Sequence, residues 1–459
     1  MERPPDSGNV WLVLTDVLTA RIFFGYGIVE GLHRRLGDRL ELIVLVDPRW
    51  LKTWLRRAPG LRVVHQDELF PWKVGPVEKV ARRVDAWLDR RIGFFPLAIR
   101  FNRRNGFHAE RMRPGHENGF LDSARRGPLP EWSWIERAMF RWHFSPRRYV
   151  SSALVRRMEL DCDALVLANL QSHQSAPFLT AARRLGTPTV GYVTSWDHPV
   201  GKGVVSPYVD RYLVQNEIMV AQLARYHGIA RERVVVTGWP QADLYARRRD
   251  PAAFAALVQQ LGLDPERPVV LFAGNALSNA PHEGKLVMRL IEWWSDTGAG
   301  SRFQLLVRPH PRKGEWPEWF SAPFSREGLH VQKGRSDDVD DLTTLLQHVA
   351  CVVANAGTIL LDAIANDRPA VCVLFDEGVP LEESHAPLNV SGEHYRQLIS
   401  SGAFLRAESF DEVVAGIERS LTQPDELAAK RAAVCRDVLG EVDGHVVERI
   451  VDAMLGPPA

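Results

Sequence analysis

Short, unbroken apolar runs recur along the chain, separated by stretches with the period of a helix. Residues 9–15, Asn-Val-Trp-Leu-Val-Leu-Thr, form the first run and Leu42-Ile-Val-Leu-Val46 the second, with a helix-length segment to about Leu36 between them. Continuous rather than alternating hydrophobicity marks strands covered on both faces, as in a parallel sheet. The chain therefore opens β-α-β. The alternation resumes with Asp163–Ala168, a helical stretch over 175–185, Thr187–Val193, Arg211–Val214, a helix to about Gly228, and Val234–Val236. A doubly wound, Rossmann-like domain over 1–240 is expected, carrying an insertion at about 70–150.

Gly and Pro punctuate Thr237-Gly-Trp-Pro-Gln241 and the Arg-rich stretch to Asp250-Pro251, which reads as a crossing between domains. A second α/β series over 251–440 follows, with strands at Val269–Phe272, Phe303–Val307, Leu329–Val331, Cys351–Val353 and Ala370–Val373. Leu342, Leu345, Leu346 and Val349 fall at the spacing of one helical face. Over 441–459 a packing helix is expected from Asp443 to about Leu455, with Asp443 as its N-cap and Val446, Val447, Ile450, Val451 and Met454 on one stripe.

Length agrees with two domains, since 459 residues exceed one ordinary core. The 57 Lys and Arg balance 56 Asp and Glu, which gives no global reason to expect a nucleic-acid partner. Cys162, Cys351, Cys372 and Cys435 lack metal-ligand spacing and read as reduced core thiols, with no metal site expected. The first eight residues hold no apolar stretch of signal length, and no run reaches the roughly 18 residues that span a bilayer. A cytoplasmic protein is expected, or one peripheral on the inner face of the membrane.

The insertion changes that picture locally. Between Arg82 and Arg113 stand nine arginines against three acids, interleaved with Trp87, Phe94, Phe95, Phe101 and Phe107, and Trp132, Trp134, Phe140, Trp142 and Phe144 follow. Arginines with aromatics suit an anionic membrane surface or a phosphorylated acceptor. They equally suit a solvated helical face over a small satellite core.

Candidate chemistry lies at the carboxyl ends of the expected strands, where open α/β sheets hold ligands. Gly274-Asn275 follows the first strand of the second series. Arg308-Pro-His310-Pro-Arg312-Lys313 follows the second and concentrates donors for a phosphate on a turn stiffened by proline. Asn355-Ala-Gly357-Thr358 opens a helix, whose unpaired N–H groups and dipole seat a phosphate, although Thr358 could serve only as its N-cap. In the first half Asp16, His173 and Ser195-Trp196-Asp197-His198, with Lys202 behind, stand at strand ends on the side expected to meet an acceptor. Asp197, His173 or Asp16 could act as general base there, or serve as caps and structural hydrogen-bond partners.

On these residues the sequence resembles the GT-B enzymes of surface-polysaccharide and teichoic-acid assembly, which include CDP-glycerol glycerophosphotransferases and capsule polysaccharide transferases. The likeness is carried by Arg308-Pro-His310-Pro, the unit Asn355-Ala-Gly357-Thr358 with Asp362, the crossing Val236-Thr-Gly-Trp-Pro-Gln-Ala-Asp243, and Asp443-Gly444 with Arg449-Ile450, over roughly 160–455. It implies two Rossmann-like domains facing a cleft, closing across the 237–250 crossing. The nucleotide-sugar donor would lie on the C-terminal one, against Gly274, Asn275, Arg308, His310, Asn355, Gly357, Thr358, Asp362 and an acid such as Glu383. A glycan or lipid-linked acceptor would approach the N-terminal one.

Glycerophosphotransferases commonly show Asp-Tyr-Ser-Ser where this chain has Asn355-Ala-Gly-Thr358, which favours a sugar over glycerol phosphate. His310 would stabilise the leaving group and Asp197 or His173 would take the proton, with no metal or cofactor. Alternatives are a CDP-glycerol-type transferase, an enzyme like UDP-N-acetylglucosamine 2-epimerase, and a non-catalytic nucleotide- or glycan-binding paralogue.

Overall fold

The unbroken apolar runs are strands buried on both faces. A computed structural model of the protein describes residues 8–46, 51, 54–69, 75–91, 134–201, 203–276, 279–310, 325–332, 339–380, 383–390 and 393–456. These form two compact units, one containing the chain up to Gln241 together with His445 onward, the other containing Ala242–Gly444.

The sheet of the first unit contains β1 (Val10–Leu14), β2 (Leu40–Val44), β3 (Arg62–His65), β4 (Ala164–Leu167), β5 (Thr189–Tyr192), β6 (Arg211–Val214) and β7 (Val234–Val236). Their order is β3-β2-β1-β4-β5-β6-β7 and every pairing is parallel. The expected single helix between β1 and β2 is two helices, Val17–Gly25 and Ile28–Leu36. Gly27 separates them at φ 87°, a left-handed conformation that glycine adopts without steric cost.

The final helix, Val446–Leu455, belongs to this first unit. Val451 comes within 3.0 Å of where a Cβ on Gly31 would stand, Arg211 Nη1 donates to Ala453 O at 2.6 Å, and Arg35 pairs with Asp452. His445 rather than Asp443 occupies the N-cap position, because Gly444, at φ 82°, turns the chain and delays the helix.

The second sheet is built from β8 (Val269–Ala273), β9 (Gln304–Arg308), β10 (Ser325–Arg326), β11 (Leu329–Val331), β12 (Cys351–Asn355), β13 (Ala370–Val373) and β14 (Leu405–Ala407). Their order is β10-β11-β9-β8-β12-β13-β14, parallel except at β10. Its core packs Val270, Phe272, Leu305, Val307 and Val353 against Leu286, Val287, Leu290 and Trp294 of the helix Glu283–Asp296. Cys351 and Cys372 sit in β12 and β13 as free thiols, pushed up to about 12 by burial and therefore inert at neutral pH.

In each sheet the strand order reverses once near the middle, between β1 and β4 and between β8 and β12. Connections on the two sides of such a point run to opposite faces, so a crevice opens at the carboxyl ends of those strands. The expected α/β architecture of two doubly wound, Rossmann-like domains is the observed one.

Of the insertion, helices Pro76–Arg91 and Trp134–His143 are described. Arg100, Arg103, Arg104, Arg111, Arg113, Phe94, Phe95, Phe101, Phe107 and Trp132 lie outside the described residues, as do Lys202, Arg312 and Lys313. Among the described residues no helix is long and apolar enough to cross a membrane.

Candidate functional site

The second unit brings three of the expected loops together at its switch point. Gly274 N donates to Arg308 O at 2.8 Å, tying the end of β8 to the end of β9. A Cβ on Gly274 would stand 3.0 Å from His310 N and 3.1 Å from Pro309 Cα, so only glycine lets the Pro309-His310 turn close over this strand end. On the other side Asn275 Nδ2 donates to Ala356 O at 2.8 Å and lies 3.4 Å from the Cβ position of Gly357. Gly357 is the N-cap of the helix Thr358–Ala365, and among the described residues no side chain caps that helix. Thr358 is its first residue, exposed, and not the cap.

A residue that the sequence did not single out sits beneath these loops. Glu283, 3% exposed at the start of the helix Glu283–Asp296, accepts from Asn275 N with both carboxylate oxygens at 3.0 Å and from Asn355 Nδ2 at 3.0 Å. Burial pushes its carboxyl up to about 8, against the pull of the Asn355 and Asn275 donors and with a smaller push from the Asp376 charge. Asp376 is itself buried after β13, where its Oδ2 accepts from Ser384 Oγ at 3.0 Å, from Ala386 N at 3.2 Å and from His385 N. It thereby shapes the loop that carries Glu383, which is exposed.

Arg308, expected among the phosphate donors, is buried and gives one guanidinium nitrogen to the sheet. Its side chain is 6% exposed, and Nη1 donates to Gln332 Oε1 at 2.8 Å just beyond β11. The residue closes strand β9, so its side chain falls under the sheet's face while the half-buried Pro309 and His310 form the rim. Asp362 lies one turn inside the helix Thr358–Ala365, and its carbonyl accepts from Asn366 Nδ2 at 2.8 Å.

In the first unit Asp16 stands just beyond β1, and of the roles open to it in the sequence the structure shows the helix cap. Its Oδ1 accepts from Thr19 N at 2.9 Å in a reciprocal capping box, and its Oδ2 accepts from Thr15 Oγ1 at 2.9 Å and Asn169 Nδ2 at 3.1 Å. With both oxygens engaged, Asp16 joins the ends of β1 and β4. His173 opens a short 3-10 turn, His173–Ser175, beyond β4.

The turn after β5 is built from within. Trp196 is buried edge-on against Trp239 at 5.9 Å, so it braces the turn and is not a stacking surface for an acceptor. Ser195 O accepts from His198 N, and Asp197 O accepts from Gly201 N at 2.7 Å, which puts Asp197 at the entrance of the helical turn His198–Gly201. Asp197 and Ser195 are half-buried and His198 is buried.

Two buried side chains missed in the sequence hold this turn. Gln171 Nε2 donates to His198 O at 2.7 Å and Gly203 O at 2.8 Å. His227 accepts from Val205 N at Nδ1 (3.0 Å) and bonds Pro199 O through Nε2 (2.7 Å); burial holds it down at about 4. His227 stands on a helix face that otherwise reads as core, which was the available signal; Gln171, in the turn beyond β4, offered none.

Comparison with known proteins gives this arrangement its family. A family model described as CDP-Glycerol:Poly(glycerophosphate) glycerophosphotransferase matches residues 203–456, more than half of the chain. The chain belongs to this glycerophosphotransferase family. The match takes in every donor-loop residue named above, whereas Asp16, His173 and Ser195–Lys202 precede it. No curated protein matches the chain.

Among solved structures, the glycerophosphotransferase-family chain is similar to the S. aureus MnaA-UDP co-structure, with 13% identity, 97% of this chain and 95% of that one covered, and a TM-score of 0.53. It is also similar to UDP-GlcNAc 2-epimerase from Neisseria meningitidis bound to UDP-GlcNAc (10%, 98% and 100%, 0.52). A variant of the wall teichoic acid polymerase TagF gives 9%, 98% and 88%, and 0.53. At these identities the likeness is one of fold. Membership of the family makes the chain a transferase using a nucleotide-activated donor.

Proposed function

We propose that the protein transfers a sugar from a nucleotide-linked donor to a hydroxyl of a glycan or lipid-linked acceptor. The observation that carries the reading is the uncapped start of the helix Thr358–Ala365 at the switch point between β8 and β12. There the first-turn N–H groups and the helix dipole favour a diphosphate. In the transfer the acceptor oxygen attacks the anomeric carbon, the bond from that carbon to the diphosphate breaks, and negative charge develops on the leaving nucleoside diphosphate. The helix start and His310 oppose that charge electrostatically. The acceptor proton passes to Asp197 or His173. Glycerophosphate transfer from CDP-glycerol is the second reading, favoured by the family match.

A thermal-shift panel of UDP-, CDP-, GDP- and dTDP-linked donors tests both, since a ligand that binds only the folded state raises Tm. Stabilisation by CDP-glycerol alone selects the second reading. A free epimerised sugar formed without acceptor would select the epimerase chemistry instead.

We infer further that the two described helices of the insertion meet an anionic membrane. Val77, Val80, Val84 and Trp87 form one stripe on Pro76–Arg91, with Val77 82% exposed, and Trp134 (79%), Ile135 and Trp142 are exposed on Trp134–His143. A groove of about 610 Å³ lined by Val77, Val80, Val84, Leu88, Trp142 and Tyr149 runs along them. Arg83, Arg137 and Arg141 stand on the same two helices, also exposed. An apolar stripe open to solvent beside arginines is the composition of an interfacial helix. The wild type should float with phosphatidylglycerol vesicles and a Val80→Asp, Val84→Asp, Trp87→Asp variant should not. A wild type that stays in the pellet fraction refutes the inference.

A further inference from the structure

Glu283 and Asn355 face each other in the buried layer under the donor loops, and each lacks something the other could supply. Glu283 has two N–H donors aimed at it, Asn275 N shared between both oxygens and Asn355 Nδ2 to Oε1, an arrangement suited to the ionised carboxylate. Its burial favours the neutral acid, and a neutral acid needs an acceptor for its O–H. Asn355, 1% exposed, holds the candidate: its Oδ1 is buried without a hydrogen-bond partner among the described residues. Turning the Asn355 amide over exchanges Oδ1 for Nδ2 and lets Glu283 donate where it had accepted. The turned amide leaves an N–H in the former place of Oδ1, a group whose natural partner is an anion.

We propose that Glu283 is a positioning residue that takes up one proton from solvent when a nucleoside diphosphate binds, and that Asn355 turns its amide to accept the new hydrogen bond. The inference rests on the donor placement given under Proposed function. Asn275 links Glu283 to the helix start, bonding Glu283 through its backbone N and Ala356, beside Gly357, through its side chain. Negative charge there disfavours the carboxylate and draws the proton in.

Among the described residues Asp376, from the loop after β13, is the charged group that bears on Glu283. His282 and Lys285 flank it in the chain, the His310 backbone closes over Gly274 beside it, and the His385 ring lies 6.3 Å from that of His282. Asn355, from β12, and Asn275, just beyond β8, face it without titrating. A terminal phosphate titrates near 6 and is ionised at pH 8, and Glu283→Gln reports whatever the histidines contribute there.

The test is calorimetric titration with UDP and CDP at pH 8 in buffers of different ionisation enthalpy, which counts protons exchanged on binding. The wild type should take up about half a proton at pH 8 and almost none at pH 6, where Glu283 is already protonated. Glu283→Gln, whose amide mimics the protonated acid, should show no uptake at pH 8. Asn355→Ala, which removes the acceptor, should reduce it and covers the case in which Glu283→Gln does not fold. Nucleotide binding with no proton uptake at pH 8, or equal uptake in Glu283→Gln, overturns this proposal while leaving the donor site standing. Failure of folded wild type to bind either nucleotide overturns the donor site and the proposal with it.

Discussion

Acid should loosen the turn after β5 through one buried histidine. His227 ends the helix Glu217–His227 and is held neutral: Val205 N donates to its Nδ1 at 3.0 Å, and its Nε2 reaches Pro199 O at 2.7 Å. A proton on Nδ1 would oppose the Val205 N–H and bury a charge, which is why burial lowers the imidazole from 6.5 to about 4. The unfolded chain binds this proton more readily than the folded one. The stabilisation is therefore complete above about pH 6.5 and is lost as pH falls from 6.5 toward 4. The loss amounts to about 3 kcal/mol in total, of which about 2 kcal/mol is gone by pH 5.

His227→Phe keeps the ring volume, abolishes titration and leaves the Val205 N–H and Pro199 carbonyl without partners, at a cost of about 2–4 kcal/mol at pH 7. Urea unfolding of both proteins by tryptophan fluorescence from pH 7.5 to 5 should show the gap between them narrowing by about 2 kcal/mol. A gap that stays constant across that range refutes the account of His227. It would mean that the ring's contribution is packing alone.

Other substitutions separate the groups that bind from those that brace. Gly274→Ala places a methyl 3.0 Å from His310 N and Glu283 Oε2, so it should destabilise by about 1–3 kcal/mol and weaken nucleotide affinity, read by urea melts and calorimetry. Asp197→Asn should stop turnover while leaving donor affinity intact, measured by product formation beside calorimetry; loss of folding instead would make Asp197 a structural cap. Asp16→Ala should cost about 1 kcal/mol of stability, the value of a helix cap, with nucleotide affinity unchanged. His310→Ala should slow transfer about a hundredfold without unfolding the protein, the scale of losing one leaving-group stabiliser, and near-normal turnover would remove it from the site.

The central strands were legible because parallel strands buried on both faces leave unbroken apolar runs, and β1, β8 and β12 fall within a residue or two of their expected bounds. The missed strands are edges. Arg62-Val-Val-His65 and Leu405-Arg-Ala407 meet a neighbour on one side only and carry exposed charged positions, so their runs are broken. Loop positions were legible where Gly and Pro mark a close approach, as at Gly274 and Pro309.

What sequence left hidden is what tertiary burial decides. Glu283 reads as an ordinary acid in a first helical turn, yet it lies on the stripe of Leu286, Val287, Leu290 and Trp294 and is buried with them. His227 likewise shares the face of Val220 and Leu223. A charged or titratable residue at a core position of an amphipathic helix was the usable clue in both. The burial of Arg308 was equally hidden, because a basic residue beside a ligand loop reads as exposed. As the last residue of β9 it instead takes the strand's alternation, and its side chain goes to Gln332.

The two sheets share a topology and use their switch points differently. At the first, every side-chain oxygen of Asp16 is engaged by Thr15, Thr19 and Asn169, and the helix that begins there is capped from within. At the second, the helix begins at Gly357-Thr358 with no side-chain cap, and the polar groups that could have reached it, Asn275 and Asn355, are turned instead toward Ala356 and Glu283. A helix start left open at a switch point lacks the internal partner that the first one has, which is what the proposed diphosphate would supply. The same contrast explains why Glu283 matters: it fixes the Asn275 backbone N–H and the Asn355 side-chain N–H in the layer beneath the open helix. Removing its carboxylate by Glu283→Ala should therefore lower nucleotide affinity even where the fold survives, because both groups lose the acceptor that holds the loops beside the helix start. An Ala variant that is folded and binds nucleotide as the wild type does would break this link between the buried acid and the open helix.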